Sequence, residues 1–472
     1  MEKTKKKWQF PSTSTLLMCV ALLVAILTYV VPAGQYDRVD DPVTGRTLVV
    51  EGTYQPVDPH PATLSTLFGS LYEGFQDISD IIALILIAGG AMGILIKSGA
   101  IHAGINSLTK VTKGKNWMLF AIIMIVYAFC SSLLGMAEEF IGFVPILCAI
   151  AISLGYDKIT GIAILLFGIY SGVGFALTNP FNIVIAQQIA QLPIFSGMGL
   201  RAVGFVGSVI IAIHHVIHYG NKVKKDPTKS LLYDKNDSSL KLDPEISEKE
   251  MNKVDLTTFE LTGKRKLELI ILAVTIIGMG YGTTQLGWWM HEMCAIFLAF
   301  GIVIGLIEFK SLNETVNTFM REAGGMAEAC LLIAMSRSIV YIMSDGMIID
   351  TIVRGIATPL GHLNGVLAAW AIYISQLIVN FFVPSSSGQA VVVMPILTPL
   401  ADLTGISRQV MVHAFMAADS YGNMIIPTHP TTLACLGMAG ISYNKWFKLA
   451  WPLVLKWTIW SFIILAIGVY VW

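Results

Sequence analysis

Long apolar runs dominate this chain and leave it essentially one solvent. A helix that crosses a bilayer needs about 20 mostly apolar residues. Full spans of that kind fall near 14–33, 80–97, 159–190, 201–219, 266–288, 290–308, 326–344, 408–436 and 450–471. Only 13% of the 472 residues are charged and 55% are hydrophobic, against about 25% charged in an ordinary soluble domain. So little polar surface cannot cover a soluble globule. The formal net charge is zero, which removes any electrostatic case for nucleic acid as a partner.

Two further apolar segments, 117–154 and 365–402, are too long for one crossing. Each has a polar, small-residue centre: Gly135-Met136-Ala137-Glu138-Glu139 in the first and Pro384-Ser385-Ser386-Ser387-Gly388-Gln389 in the second. Each reads as a re-entrant hairpin that enters the membrane, turns and leaves on the same side. Non-helical backbone at that depth survives only where protein or a water cavity surrounds it.

Charge placement gives the orientation. With the N-terminus inside, all 23 lysines fall on the cytoplasmic side or reach it, from Lys3–Lys7 to Lys445, Lys448 and Lys456. The outer segments hold arginines alone: Arg38, Arg46, Arg201, Arg354 and Arg408. This positive-inside bias predicts a cytoplasmic N-terminus and an outer C-terminus, and counting either hairpin as a single crossing would invert it. The first apolar run, Leu16–Val31, is too long for a signal-peptide core and reads as an uncleaved span. Four short amphipathic stretches, 63–79, 99–113, 311–325 and 346–360, fit helices along the membrane surface. Segment 34–66 reads as a solvated outer connector. The six cysteines form no CxxC pair and read as packing residues, so neither disulfides nor a metal site is expected.

The chain also repeats itself. Displaced by 250 positions, Pro145-Ile146-Leu147 meets Pro395-Ile396-Leu397, Ala151 meets Ala401, Gly155 meets Gly405, Gly172 meets Gly422, Thr178 meets Thr428 and Pro180 meets Pro430. Proline and glycine mark backbone geometry rather than composition. The first hairpin opens inward and the second outward, so the repeats are inverted, an arrangement known in secondary transporters. The expected fold is therefore all-α and polytopic, with about nine full spans and two hairpins. The first repeat occupies 1–219, a polar cytoplasmic linker 220–265, and an extra span with the second repeat 266–472.

Each hairpin is followed by an interrupted helix. The first interruption is Ser171-Gly172-Val173-Gly174 with Thr178-Asn179-Pro180; the second is Asp419-Ser420-Tyr421-Gly422-Asn423 with Pro427-Thr428-His429-Pro430. Broken ends leave carbonyls and amides unpaired at membrane depth, where they can hold a cation or face a carboxylate. Glu138, Glu139 and Asp419 are intramembrane acids and candidate binders of a cation, a proton or a positive end of a solute. Ser385, Ser386, Ser387 and Gln389 are neutral donors and acceptors suited to a carboxylate or a desolvated sodium ion. Thr178, Asn179, Asn423, Thr428 and His429 complete the candidate solute or ion site. Arg337 reads as the charge partner of one of the acids or as an anion contact, the two readings being equal at this point. His214, His215 and His218 read as interfacial. A channel would need a ring of repeated charges that the chain lacks. An intramembrane hydrolase would need Ser387 and His429 in contact.

Gly-Met-Ala-Glu-Glu at 135–139, Leu-Gly-Tyr-Asp at 154–157, Asn-Pro-Phe at 179–181, Pro-Ser-Ser-Ser-Gly-Gln-Ala at 384–390, Met-Pro-Ile at 394–396 and Pro-Leu-Ala-Asp at 399–402 resemble the YfcC/ArcD-like carriers. These are related to the C4-dicarboxylate anaerobic carriers of the ion transporter superfamily. The resemblance implies an inner-membrane carrier, homodimeric, with no cofactor and with H+ or Na+ as the coupling ion. It implies a small organic solute, either a basic amino acid exchanged as arginine and ornithine are, or a C4-dicarboxylate or other organic anion. Relatives coupled to sodium carry Ser-Asn-Thr at both tips; here the first tip is Glu138-Glu139, which favours a cationic or zwitterionic solute.

Overall fold

The computed structural model describes residues 12–41, 46–50, 52–111, 115–233, 259–288 and 290–472. The N-terminal lysines and residues 234–258 of the expected linker lie outside them. Among the described residues nineteen α-helices follow one another: α1 (Thr13–Val30), α2 (Leu64–Asp77), α3 (Ser79–Lys97), α4 (Ala100–Val111), α5 (Asn116–Leu134), α6 (Val144–Ser153), α7 (Lys158–Val173), α8 (Ile185–Ile189), α9 (Met198–Lys225), α10 (Gly263–Gln285), α11 (Met290–Phe309), α12 (Leu312–Gly324), α13 (Ala327–Asp345), α14 (Ile349–Ala357), α15 (Gly365–Phe382), α16 (Ser386–Leu403), α17 (Arg408–Gly422), α18 (Pro430–Met438) and α19 (Tyr443–Val471). Eight of them, α1, α3, α5, α9, α11, α13, α15 and α19, are long and apolar enough to cross a membrane.

The core is built on the two interrupted helices. Every residue of α7 from Ile159 to Val173 is buried, as is every residue of α17 from Gln409 to Gly422. A helix buried on all sides has to be enclosed by others. Accordingly α5, α6 and α9 pack on α7, while α15, α16 and α19 pack on α17. Helices α1, α2 and α13 pack together, as do α3, α11 and α12, and α13 lies against α18.

The 250-residue displacement reappears in the backbone. Asp157 caps α7 by accepting from Thr160 N, and Ser407 caps α17 by accepting from Val410 N. Just before these caps, Gly155 and Gly405 take positive φ, +82° and +67°. They let Tyr156 N reach Ala151 O at 2.9 Å and Ile406 N reach Ala401 O at 3.1 Å. Later in α7, Ser131 Oγ donates to Ile169 O at 2.8 Å; in α17, Asn380 Nδ2 donates to Asp419 O at 2.6 Å. Carbonyls 169 and 419 are equivalent, and both receive an anchor from the first arm of the preceding hairpin segment.

The ends of each hairpin segment meet. Phe120 and Tyr156 pack edge to face at 4.8 Å, and Gly365 N donates to Thr404 O at 3.4 Å. The two arms do not lie chiefly on each other; both lean on the interrupted helix that follows.

Two expectations need correction. Segment 34–66 is not a bare connector: β1 (Gly34–Gln35) pairs with β4 (Gln55–Pro56) and β2 (Arg38–Asp41) with β3 (Arg46–Val49), both antiparallel. This strap docks on α14, where Asp350 accepts from Arg38 Nη2 at 3.1 and 3.0 Å and from Tyr36 N at 3.0 Å. Tyr54 adds a hydroxyl contact to Thr351 at 2.8 Å and a face for Arg354, 4.2 Å from the ring centroid. The expected linker is also shorter at both ends, because α9 continues to Lys225 and α10 begins at Gly263. Cationic residues at a helix C-terminus, here Lys222, Lys224 and Lys225, favour that extension.

Candidate functional site between the hairpin tips and the helix breaks

The first tip begins where α5 stops. Gly135 ends the helix in the left-handed region at φ +77°, where a Cβ would come within 2.6 Å of the Phe181 ring. The chain then forms a 3₁₀ turn, Glu138–Phe143, before α6. Glu139 is buried and folds back, its Oε2 accepting from Ala137 N at 2.9 Å. Glu138 remains half-buried, and its Oε1 meets Thr431 Oγ1 at 3.5 Å. Two adjacent carboxylates therefore face different surroundings: one clamps its own tip, the other looks toward the second half.

The second tip is neutral. Ser385 caps α16, accepting from Gly388 N at 3.3 Å. Ser386 Oγ donates to Asp419 Oδ2. Gln389 Nε2 donates to Gln376 Oε1 at 2.9 Å, tying the two arms of this segment together. Ser387 is half-buried beside them.

The breaks hold the tips. At the first, Thr178 Oγ1 donates to Leu133 O at 3.0 Å and Asn179 Nδ2 to Ser131 O at 3.0 Å. Asn179 also caps the next turn, accepting from Phe181 N at 2.8 Å. At the second, Thr428 Oγ1 donates to Phe381 O at 2.9 Å, and His429 caps α18 by accepting from Thr432 N. Equivalent threonines thus bind the C-terminal carbonyls of α5 and α15, which a helix end leaves without intrahelical partners.

Two polar clusters cross between the halves. In one, Glu138 meets Thr431, and Tyr170 OH lies 3.2 Å from His429 Nε2. His429 Nδ1 lies 3.0 Å from Thr432 Oγ1, which donates to Asn423 O at 2.8 Å. In the other, Asp419 is fully buried and its Oδ2 receives Ser386 and, at 3.4 Å, Asn182 Nδ2. Asn380 bridges Asp419 O and Asn423 Oδ1, the latter at 3.1 Å. Asp419 Oδ1, Asn182 Oδ1, Asn380 Oδ1 and Gln389 Oε1 are buried without a hydrogen-bond partner among the described residues. Between the clusters, Ser420 Oγ donates to Tyr170 O at 3.0 Å; positions 170 and 420 are themselves one repeat apart.

Arg337 does not join these acids. Its Nε donates to Asp77 Oδ2 at 2.5 Å, fastening α13 to the end of α2. Among the described residues no ion pair involves Glu138, Glu139 or Asp419. The fully buried arginine is Arg201, which the lysine and arginine pattern had placed outside. It donates to Leu177 O at 3.1 Å, Phe195 O at 3.3 Å and Ser196 O, and reaches His413 Nε2 at 3.5 Å. His215 is buried rather than interfacial, with Leu449 O at 2.9 Å and Lys456 Nζ at 3.2 Å. The ring nitrogens of His429 are engaged by Tyr170 and Thr432, so the pairing with Ser387 that a hydrolase requires is not formed.

Tyr170, Asn182, Asn380 and Thr431 belong to the site and were not singled out from the sequence. Asn380 was findable, being an asparagine inside the apolar run of α15. Tyr170 and Thr431 carry no such signal, since a tyrosine or threonine in an apolar helix is ordinary.

A polytopic helical membrane protein with interrupted helices meeting paired polar tips is a solute carrier by its architecture, and comparison with known proteins agrees. The model of the C4-dicarboxylate anaerobic carrier family, DcuC, matches residues 10–470. The chain belongs to that family. It is 31% identical to "Putative basic amino acid antiporter YfcC" of Escherichia coli (strain K12), over 94% of each chain. It is 29% identical to an uncharacterized protein of Haemophilus influenzae (strain KW20 Rd), covering 96% of this chain and 95% of that one. Two solved structures align over nearly the whole chain. They are the Alcanivorax borkumensis YdaH transporter (17% identity, TM-score 0.41, 97% and 98% covered) and Neisseria gonorrhoeae MtrF, described as an antimetabolite efflux pump (18%, TM-score 0.43, 98% and 96% covered). Both overlaps are too loose to transfer any feature.

Proposed function

We propose that this carrier exchanges a basic amino acid, of the arginine or ornithine kind, across the bacterial inner membrane. The observation that carries the reading is Glu138: a half-buried tip carboxylate whose neighbour Glu139 is already committed and to which no cation is paired among the described residues. Intramembrane carboxylates are retained where a partner meets them, and a guanidinium or ammonium supplies one. The name of the Escherichia coli relative points the same way. Serines at the second tip and the start of α18 suit the other, carboxylate end of such a solute. The protein works as a homodimer, N-terminus inside, with the tips turned to each side of the membrane in turn and with H+ or Na+ as the ion that Asp419 would hold in coupled uptake. It needs no cofactor.

The family's name favours a second reading, a C4-dicarboxylate as the solute. Counterflow in proteoliposomes separates them. Labelled arginine entering against unlabelled arginine or ornithine supports the proposal. Succinate entering without arginine assigns the serine tip to an anion and leaves Glu138 to a coupling ion. Saturable counterflow of either kind also distinguishes a carrier from a channel.

A further inference from the structure

We propose that the strap, β1 to β4, is a clasp that restrains the second hairpin segment and so sets how readily the second tip opens. The proposal rests on the carrier reading above but not on its choice of solute. The strap is rooted on α1 at both ends. It leaves from the end of that helix and returns to it, where Ala62 N donates to Thr28 Oγ1 at 2.8 Å and Tyr29 OH donates to Ala62 O at 2.9 Å. Between these roots it crosses to the hairpin segment. There β3 packs on α16, the second arm, and Val49 of β3 is buried. Helix α1 itself packs chiefly on α13. The strap therefore ties α1 to a hairpin arm through a contact made outside the helical core.

Its grip falls on a strained turn. Helix α13 ends and α14 begins around Gly346–Ile348, and Met347 takes φ +51°. Glycine is the usual residue in that conformation at a helix end, and α3 does end on one, Gly99 at φ +74°. A methionine there persists only because its surroundings hold it. The strap does so from both sides. Before α14, Gly34 N donates to Met347 O at 3.0 Å. At the second residue of α14, buried Asp350 takes Tyr36 N and Arg38 Nη2. Hinges are a few element-terminal residues that absorb a change of backbone angles, and Met347 is placed as one. Beyond it, α14 leads through the 3₁₀ turn Thr358–His362 into α15, the first arm. The strap thus clamps the turn that leads to one arm and lies on the other.

The ion pair is the part of the clasp that solvent reaches. The side chain of Arg38 is 41% exposed, while that of Asp350 is 4% exposed. Salt screens a pair with one exposed member, so the clasp loosens as ionic strength rises.

Hydrogen–deuterium exchange on the full chain in lipid nanodiscs reads the opening of residues 383–390 with no solute present. Arg38→Gln removes the charge from the strap side. Asp350→Asn removes it from α14 and keeps an acceptor for Tyr36 N. In each variant exchange at 383–390 is expected to speed up roughly fivefold or more, while residues 159–173 of buried α7 exchange as in wild type. High salt should do the same to wild type and add little to Arg38→Gln. Unchanged exchange at 383–390 in both variants overturns the proposal. So does an equal rise at 383–390 and 159–173, which marks general loosening. If Asp350→Asn does not fold, Arg38→Gln with its salt response decides alone. Arginine homo-exchange, measured alongside, keeps the two readings apart: a selective response at 383–390 in a protein that does not exchange arginine keeps the clasp and rejects the basic solute.

Discussion

The two tips occupy equivalent places and do different things. The first carries Glu138 and Glu139 on a 3₁₀ turn; the second carries serines that start an ordinary helix and cap it. The second half has its acid elsewhere, at Asp419 inside α17, where the first half has Ile169. Backbone anchors, caps and positive-φ glycines agree between the halves, so the scaffold is shared while the charge has been redistributed. A carboxylate on a tip is offered to whatever the tip meets. One inside a buried helix, held by Ser386 and Asn182, is offered only to something small that gets between them.

That contrast can be broken most directly at Glu138. Replacing it with Gln is expected to weaken solute binding by about 2–5 kcal/mol, the usual range for removing one partner of a desolvated charge pair; concentration-dependent counterflow measures it. Glu139→Gln still accepts from Ala137 N and should transport at a substantial fraction of wild type. If the two glutamines behave alike, the division of labour at this tip is wrong. Asp419→Asn comes next. It keeps acceptors for Ser386, so the fold should survive, and accumulation against a gradient should fall more than homo-exchange does. Equal losses in both assays would make Asp419 a structural group.

The shared scaffold makes a smaller prediction, read in stability. A methyl group at Gly172 would overlap the Ala128 carbonyl oxygen, whereas at Gly422 it would come within 2.6 Å of Asn380 Nδ2, a side-chain atom. Both alanine variants should be destabilised, within the roughly 1–3 kcal/mol typical of overpacking, with Gly172→Ala the worse because backbone moves less readily. The smallest effect is at the threonine anchors. Thr178→Val and Thr428→Val should each lose about 1 kcal/mol, and by similar amounts. A large inequality between them, measured by thermal unfolding in detergent, would show that the halves are not equivalently braced.

Much of the architecture was legible because its causes are local. Span length follows from apolar run length, and Pro180, Gly172, Pro430 and Gly422 write the breaks into the chain. The repeat was visible for the same reason, since a proline or glycine required by backbone shape keeps its place when neighbouring side chains change. Side-chain pairing was not legible. Arg337 goes to Asp77 rather than to a tip acid because α13 lies on α2, a fact of tertiary packing. Arg201 sits four residues past the positive-φ Gly197 at the start of α9 and looked like an outer charge. Only the folded chain shows the ring of carbonyls that receives it. The strap was missed because its strands are two to four residues long, too short for an alternating pattern to register.

The paired anchors at carbonyls 169 and 419 have a consequence for the resting protein. Were they chemically alike, they would favour neither an inward nor an outward facing of the empty carrier. Ser131 holds one with a single hydroxyl; Asn380 holds the other with an amide that also grips Asn423. A bias of only about 1.4 kcal/mol between such braces shifts a two-state population tenfold. Unequal braces of this kind are enough to give an empty carrier a side on which to wait, and one of them, Asn380, is itself part of the candidate site.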